Sequence, residues 1–261
     1  MKKIILAIIV LLIILIAIFS MKGNKNNTIK NPNPVIETAT TTVKAPAPIF
    51  IDGVKLVDGS YNVNPSDAKL VWTGKKKILK TWIDSGNIDL KEAVFEVKDG
   101  AITSNKFVID MTTISPLNTG MGKGKGTDQL STHLKSADFF DATTFPESTF
   151  IVKSFASTTD SKTKKQTNMF LVKGDLTIKG ITNEITVPAS FSYSDANTIA
   201  IKGNVDIDRT LWNIRYGSDS FFDNLGNNVI ENSFNLAFDI KLKINSTATS
   251  TGVTTATSTK K

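Results

Sequence analysis

Apolar and polar residues alternate with a period of two through most of the middle of the chain. The longest instance lies near the C-terminus, where Phe234, Leu236, Phe238, Ile240, Leu242 and Ile244 alternate with Asn235, Ala237, Asp239, Lys241 and Lys243. Successive side chains of a strand point to opposite faces, so this pattern predicts a long strand with one wholly apolar face. The same alternation, less regular, marks Val94 to Val97, Phe107-Ile109-Met111, Phe150-Val152, Leu176-Ile178, Ile185-Val187, Phe191-Tyr193, Ile199-Ile201 and Val205-Ile207. Turn-forming residues separate them at Asp99-Gly100, Lys179-Gly180 and Asp195-Ala196-Asn197. Many one-sided strands joined by short turns predict an antiparallel all-β barrel or sandwich. One short helix is predicted to begin at Thr127-Asp128, with Leu130 and Leu134 on one face, and to end before Asp138-Phe139-Phe140-Asp141. A helix there would interrupt two strands as a cap or lid.

The two ends read differently. Ile4 to Phe19 is an unbroken apolar run behind Met1-Lys2-Lys3. As a helix, Ile4 to Met21 would span ~27 Å, close to the ~30 Å hydrocarbon core of a bilayer. The run is long for a secretory signal, and Ile18-Phe19-Ser20-Met21 is a poor cleavage site. Residues 1–21 are therefore read as a single transmembrane anchor, the alternative being a cleaved signal. Either way the rest of the chain is expected outside the cytoplasmic membrane, or periplasmic or secreted if the signal is removed. Residues 22–57 read as a Pro/Thr-rich linker, with Asn31-Pro32-Asn33-Pro34 and Ala45-Pro46-Ala47-Pro48 favouring extended backbone. Residues 58–245 form the β-domain. Residues 246–261, almost wholly Ser, Thr, Ala and Lys, lack the apolar bulk to offset ordering.

Charge narrows the function classes. The net charge is +7, but the excess sits in the two ends, and the stretch from Asp58 to Asn245 holds 22 basic and 22 acidic residues. A nucleic-acid binder would concentrate positive charge on its folded face, so nucleic acid is not an expected partner. There is no Cys, which excludes disulfides, thiolate catalysis and thiolate metal sites. His133 is the only histidine, and the chain shows neither a Ser-His-Asp ordering nor a Cys partner to make a nucleophile, so neither catalysis nor a metal is expected and no cofactor is implied. The Gly120-to-Gly126 run fails the Walker pattern, which requires Gly-Lys followed by Ser or Thr. The pattern carries no signal for an oligomeric state.

Three segments resemble the YceI-like family. They are His133-Leu134-Lys135-Ser136-Ala137-Asp138-Phe139-Phe140-Asp141 running on to Phe145-Pro146 and Phe150, Gly174 to Thr182 running on to Val187-Pro188, and Asp208-Arg209-Thr210-Leu211-Trp212-Asn213-Ile214-Arg215-Tyr216-Gly217. The resemblance implies a lipocalin-like antiparallel barrel with a long apolar tunnel, an exported protein, and a long-chain lipid or isoprenoid as partner. Its tunnel would be lined by Phe107, Ile109, Met111, Phe150, Leu176, Ile178, Phe234, Leu236, Phe238 and Ile240. The competing reading is a structural or adhesive surface β-domain without a ligand, in which these side chains mesh into a filled core, since a barrel of about eight strands can do either. His133, Asp138, Arg209, Trp212 and Arg215 form a second candidate group. Arg209 and Arg215 are the only arginines among 31 basic residues. Either they bind a lipid head group, or they clamp nearby carboxylates (Asp138, Asp206 or Asp208) to close the barrel end.

Overall fold

A computed structural model describes residues 47–159, 162–163 and 166–245. The chain divides into residues 1–44 and 45–261, and the described residues belong to the second unit. The expected anchor over 1–21 and the expected tail over 246–261 lie outside the described residues. Among the described residues no helix is long and apolar enough to cross a membrane.

The alternation seen in the sequence becomes an antiparallel sheet that closes on itself. A hairpin of β1 (Phe50–Ile51) and β2 (Val54–Lys55) comes first. It is followed by β3 (Gly59–Lys75), β4 (Ile83–Lys98), β5 (Ala101–Thr119) and the two-residue β6 (Gly122–Lys123). Helix α1 (Thr127–Lys135) precedes β7 (Glu147–Thr159), β8 (Gln166–Ile178), β9 (Ile181–Asp195), β10 (Thr198–Asp208) and β11 (Ser233–Asn245). The sheet runs β4-β3-β11-β10-β9-β8-β7-β5, and a further β4–β5 pairing joins its ends. Eight long strands thus form a closed barrel without free edges, the arrangement that removes exposed pairing groups.

Local chemistry sets the connections. Asp52-Gly53, Asp99-Gly100 and Lys179-Gly180 hold both central residues at positive φ, the conformation whose twist matches flanking antiparallel strands. The Asp58 carboxylate accepts the backbone N–H groups of Asp99 (2.8 Å) and Gly100 (2.8 Å). These bonds hold its acidity above that of an ordinary aspartate, meaning a lowered pKa. Helix α1 ends at Lys135, within the predicted bounds, and Leu134 is its buried residue.

The two barrel ends are built differently. At one end, residues 49–56 fold in as a plug, with Ile49, Ile51 and Leu56 buried against the core. Ile49 N–H donates to the Gly100 carbonyl at 2.9 Å. The last part of the stretch expected as linker is therefore ordered structure, because its apolar residues cover the barrel floor. Tyr61, Phe95, Ile199 and Leu242 are almost fully buried near that floor. At the other end lie α1, the β3–β4 and β8–β9 connections and the long β10–β11 connection, which includes a 3-10 turn at Arg209–Trp212.

Candidate functional site

The inward faces do not mesh completely. They enclose two chambers, one of about 140 Å³ toward the helix end and one of about 100 Å³ toward the floor. Ile109, Leu176, Ile207 and Leu236 line both, so the chambers meet at a waist. Phe107, Phe150, Phe238 and Ile240 line the lower chamber; Met111, Ile178 and Phe234 line the upper. With Ile109, Leu176 and Leu236 at the waist, all ten side chains expected to face a tunnel face these chambers.

Strand register explains this. In β11, Leu236 lies opposite Val205 and Trp72, and Phe238 opposite Gly203 and Leu70. Gly203 is required there: an added Cβ would stand 2.3 Å from the Pro188 carbonyl oxygen and 2.7 Å from the Phe238 ring. The ring folds against the bare backbone of β10 and leaves space beyond it. Phe107 packs edge-on against Phe95 at 5.2 Å and lies 6.3 Å from Phe150, so the lower chamber has aromatic walls.

The upper chamber also carries polar groups. Lys75, Lys76, Asp84, Ser148, Arg209, Glu231 and Ser233 line it alongside Ile88, Leu130, Phe139 and Phe140. Ser148 is 3% exposed, and its Oγ makes no hydrogen bond to any described residue. It lies opposite Ile109 in the β5–β7 register, one inward position above Phe150. Extending the alternation Phe150-Val152 backward by two residues would have placed it inside. Asp84 is partly buried, and burial pushes its carboxyl pKa up against the N–H of Gly120, which donates to it at 2.9 Å.

The second candidate group resolves into wiring. Arg209 is buried and lines the upper chamber, but its fork donates to backbone carbonyls: Nε to Glu231 (3.0 Å), Nη1 to Ile214 (2.8 Å) and Nη2 to Ile230 (3.3 Å). The expected carboxylate acceptors are otherwise engaged. Asp208 accepts from Thr210, Asp206 from Asn235, and Asp138 pairs with His133 Nε2 at 3.2 Å. The expectation of an Arg209 clamp on a carboxylate is thus corrected to a clamp on carbonyls. The chain folds back around Arg209 through the 3-10 turn, presenting oxygens that no strand satisfies. Trp212 is fully buried outside the chambers, donating from Nε1 to the Leu176 carbonyl at 3.1 Å. Arg215 is exposed and lies 4.5 Å from the Phe221 ring. His133 packs edge-on against Phe139 and Tyr216. His133, Asp138, Trp212 and Arg215 therefore do not line the chambers. Among the described residues no group of three or more His, Cys, Asp or Glu is placed to hold a metal ion.

A family model described as the YceI-like domain matches residues 61–242, most of the chain and all of the closed barrel except its outermost strand ends. The chain belongs to the YceI-like family. Curated relatives include a UPF0312 protein of Staphylococcus aureus (strain MRSA252), 48% identical over 65 residues, which are 25% of this chain and 31% of that protein. The match thus spans about a third of that relative's length. Among solved structures, a polyisoprenoid binding domain from Saccharophagus degradans superposes with a TM-score of 0.50 at 12% identity, covering 72% of this chain and 99% of that one. BcnA of Burkholderia cenocepacia gives 0.48 at 21% identity, covering 69% and 98%.

The three segments that carry the YceI-like resemblance, far apart in sequence, converge at the helix end. Lys179 Nζ donates to the Ala137 carbonyl (3.0 Å), and Asn183 Nδ2 to the Leu211 carbonyl (3.0 Å). His133 meets Tyr216, and Trp212 reaches Leu176. These family motifs build one frame around the upper chamber.

Proposed function

We propose that this protein binds a single long-chain apolar lipid, isoprenoid-like or fatty-acyl, within the barrel, and that it sequesters or carries that lipid rather than transforming it. The observation that carries this reading is the pair of adjoining, largely apolar chambers inside a closed barrel. An eight-stranded barrel can fill its interior with side chains, and this one leaves space along the axis. The family membership and the polyisoprenoid binding domain of similar fold support the same class of ligand. The tail would occupy the lower chamber and the waist, with the more polar end among Ser148, Arg209 and Asp84. Binding rather than turnover fits the His133–Asp138 pair, which faces neither chamber. We further propose an extracytoplasmic location, with residues 1–21 holding the barrel to the cytoplasmic membrane.

Native mass spectrometry of the purified protein, with organic extraction of whatever it retains, tests the reading. A bound lipid is expected in the wild type and absent in Phe238→Asp, which places a carboxylate in the aromatic lower chamber. Equal lipid content in the two proteins, with the variant folded by circular dichroism, would count against the chambers as the binding site.

A further inference from the structure

Two loops at the helix end form a basic, apolar-tipped lip that the lipid chambers do not require. The β3–β4 connection reads Lys75-Lys76-Lys77-Ile78-Leu79-Lys80-Thr81-Trp82, and the β5–α1 connection reads Leu117-Asn118-Thr119-Gly120-Met121-Gly122-Lys123-Gly124-Lys125-Gly126. The two segments hold six lysines and no carboxylate of their own, a local excess within a body whose charges balance only as a whole; Lys77 is paired with Asp219 of the β10–β11 connection (2.7 Å), and the other five carry the excess. Between the lysines stand large apolar side chains turned to solvent: Ile78 is 54% exposed and Met121 53%, with Leu117 at 47% and Ile83 at 42% beside them.

The two loops are locked into one surface. The Trp82 ring lies directly on Gly120, where an added Cβ would fall 2.1 Å from Cδ2. Gly120 N–H donates to Asp84, Lys76 N–H donates to the Trp82 carbonyl (3.1 Å), and Lys76 Nζ sits 4.3 Å from the Trp82 ring. Lys75, Lys76 and Asp84 also line the upper chamber, so the lip borders its mouth.

We infer that this lip docks on an anionic lipid bilayer, bringing the mouth of the upper chamber against the membrane surface. Lysines gain from anionic head groups, and apolar side chains between them gain from the acyl boundary. A nucleic acid or a soluble acidic protein region would satisfy the lysines but leave Ile78 and Met121 in water. Exchange of a lipid at the mouth would then avoid passage of its tail through bulk water. The docking itself is independent of whether the chambers are filled.

The full chain provides the test, because it has no native Cys and a single introduced Cys takes a label cleanly. Met121→Cys carries an environment-sensitive nitrobenzoxadiazole at the lip. Val57→Cys carries it on an exposed residue at the plugged end. Vesicles of phosphatidylcholine, with or without phosphatidylglycerol, contain doxyl-labelled acyl chains as quenchers. Blue-shifted, quenched emission is expected at residue 121 on the anionic vesicles only, with residue 57 unquenched. Each lysine near an anionic surface is worth about fivefold in partition. The triple variant Lys80→Ser, Lys123→Ser, Lys125→Ser should therefore lower the docked-to-undocked ratio roughly a hundredfold. If that variant misfolds, added salt on the parent protein should produce the same loss. An unquenched residue 121 on anionic vesicles overturns the inference. So does equal quenching at residues 57 and 121, or a response at 121 to duplex DNA or to an acidic polypeptide without a response to vesicles.

Discussion

The size of the chambers fixes how ligand affinity should depend on chain length. At about 10–15 Å³ per enclosed water-sized group, the upper chamber takes roughly ten such groups and the lower roughly seven. An unbranched acyl chain threaded through the waist should therefore gain affinity with each methylene up to about 17 carbons and level off beyond. Leu236→Trp is the informative perturbation, because Leu236 lines both chambers and lies opposite Trp72 and Val205. An indole at the waist should shut off the lower chamber and move the plateau to about ten carbons. For a C16 ligand, six methylenes excluded at ~0.8 kcal/mol each amount to a gross loss of roughly 5 kcal/mol. Ordering of the chain offsets a large share, so about 3 kcal/mol, or a hundredfold in Kd, should remain for a C16 ligand. Isothermal titration of a C8-to-C18 fatty-acid series against the delipidated protein and the variant measures this directly. A wild-type plateau near C8, or identical plateaus in the two proteins, would refute the threaded geometry.

Other consequences follow from single side chains. Ser148→Ala should stabilise the delipidated barrel by about 1 kcal/mol, since it removes a buried hydroxyl without a partner; a lower urea midpoint for the variant would show that the hydroxyl is satisfied in solution. Arg209→Lys should destabilise by roughly 3 kcal/mol, because an ammonium cannot satisfy three diverging carbonyls. At 2–4 °C per kcal/mol for a domain of this size, the melting temperature should fall by about 10 °C, with secondary structure retained below it. Tyr61 is buried, and burial pushes its pKa up to about 12 while its hydroxyl donates to the Val57 carbonyl at 2.9 Å. The unfolded chain releases that proton near pH 10, so stability should be intact below pH ~10 and decline between pH ~10 and 12. Tyr61→Phe should flatten this alkaline decline in denaturation curves recorded across that range.

Much of the fold was legible in the sequence because a strand's side chains alternate whatever lies around it. The six apolar positions of β11, the Asp-Gly and Lys-Gly turns and the helix opening at Thr127 are local properties, and local rules found them. The inward direction of Phe107, Ile109, Met111, Phe150 and Phe238 followed from the same period. Trp72 and Ser148 were missed as lining residues. β3 shifts register between Asn62 and Leu70 against β4, and its alternation blurs there; Ser148 is polar where the pattern favours apolar residues. What the sequence could not decide was whether inward side chains meet. Space remains because eight strands close at a fixed radius and the Phe238 ring packs close against Gly203, a packing outcome set by residues 35 positions apart. Likewise, nothing near Arg209 in sequence reveals that its fork will meet the carbonyls of Ile230 and Glu231. The basic lip exists only because β4 and β5 bring two distant loops side by side. Alternation is written into the backbone of each strand, whereas voids, clamps and shared surfaces arise from distances between strands, which only the closed barrel sets.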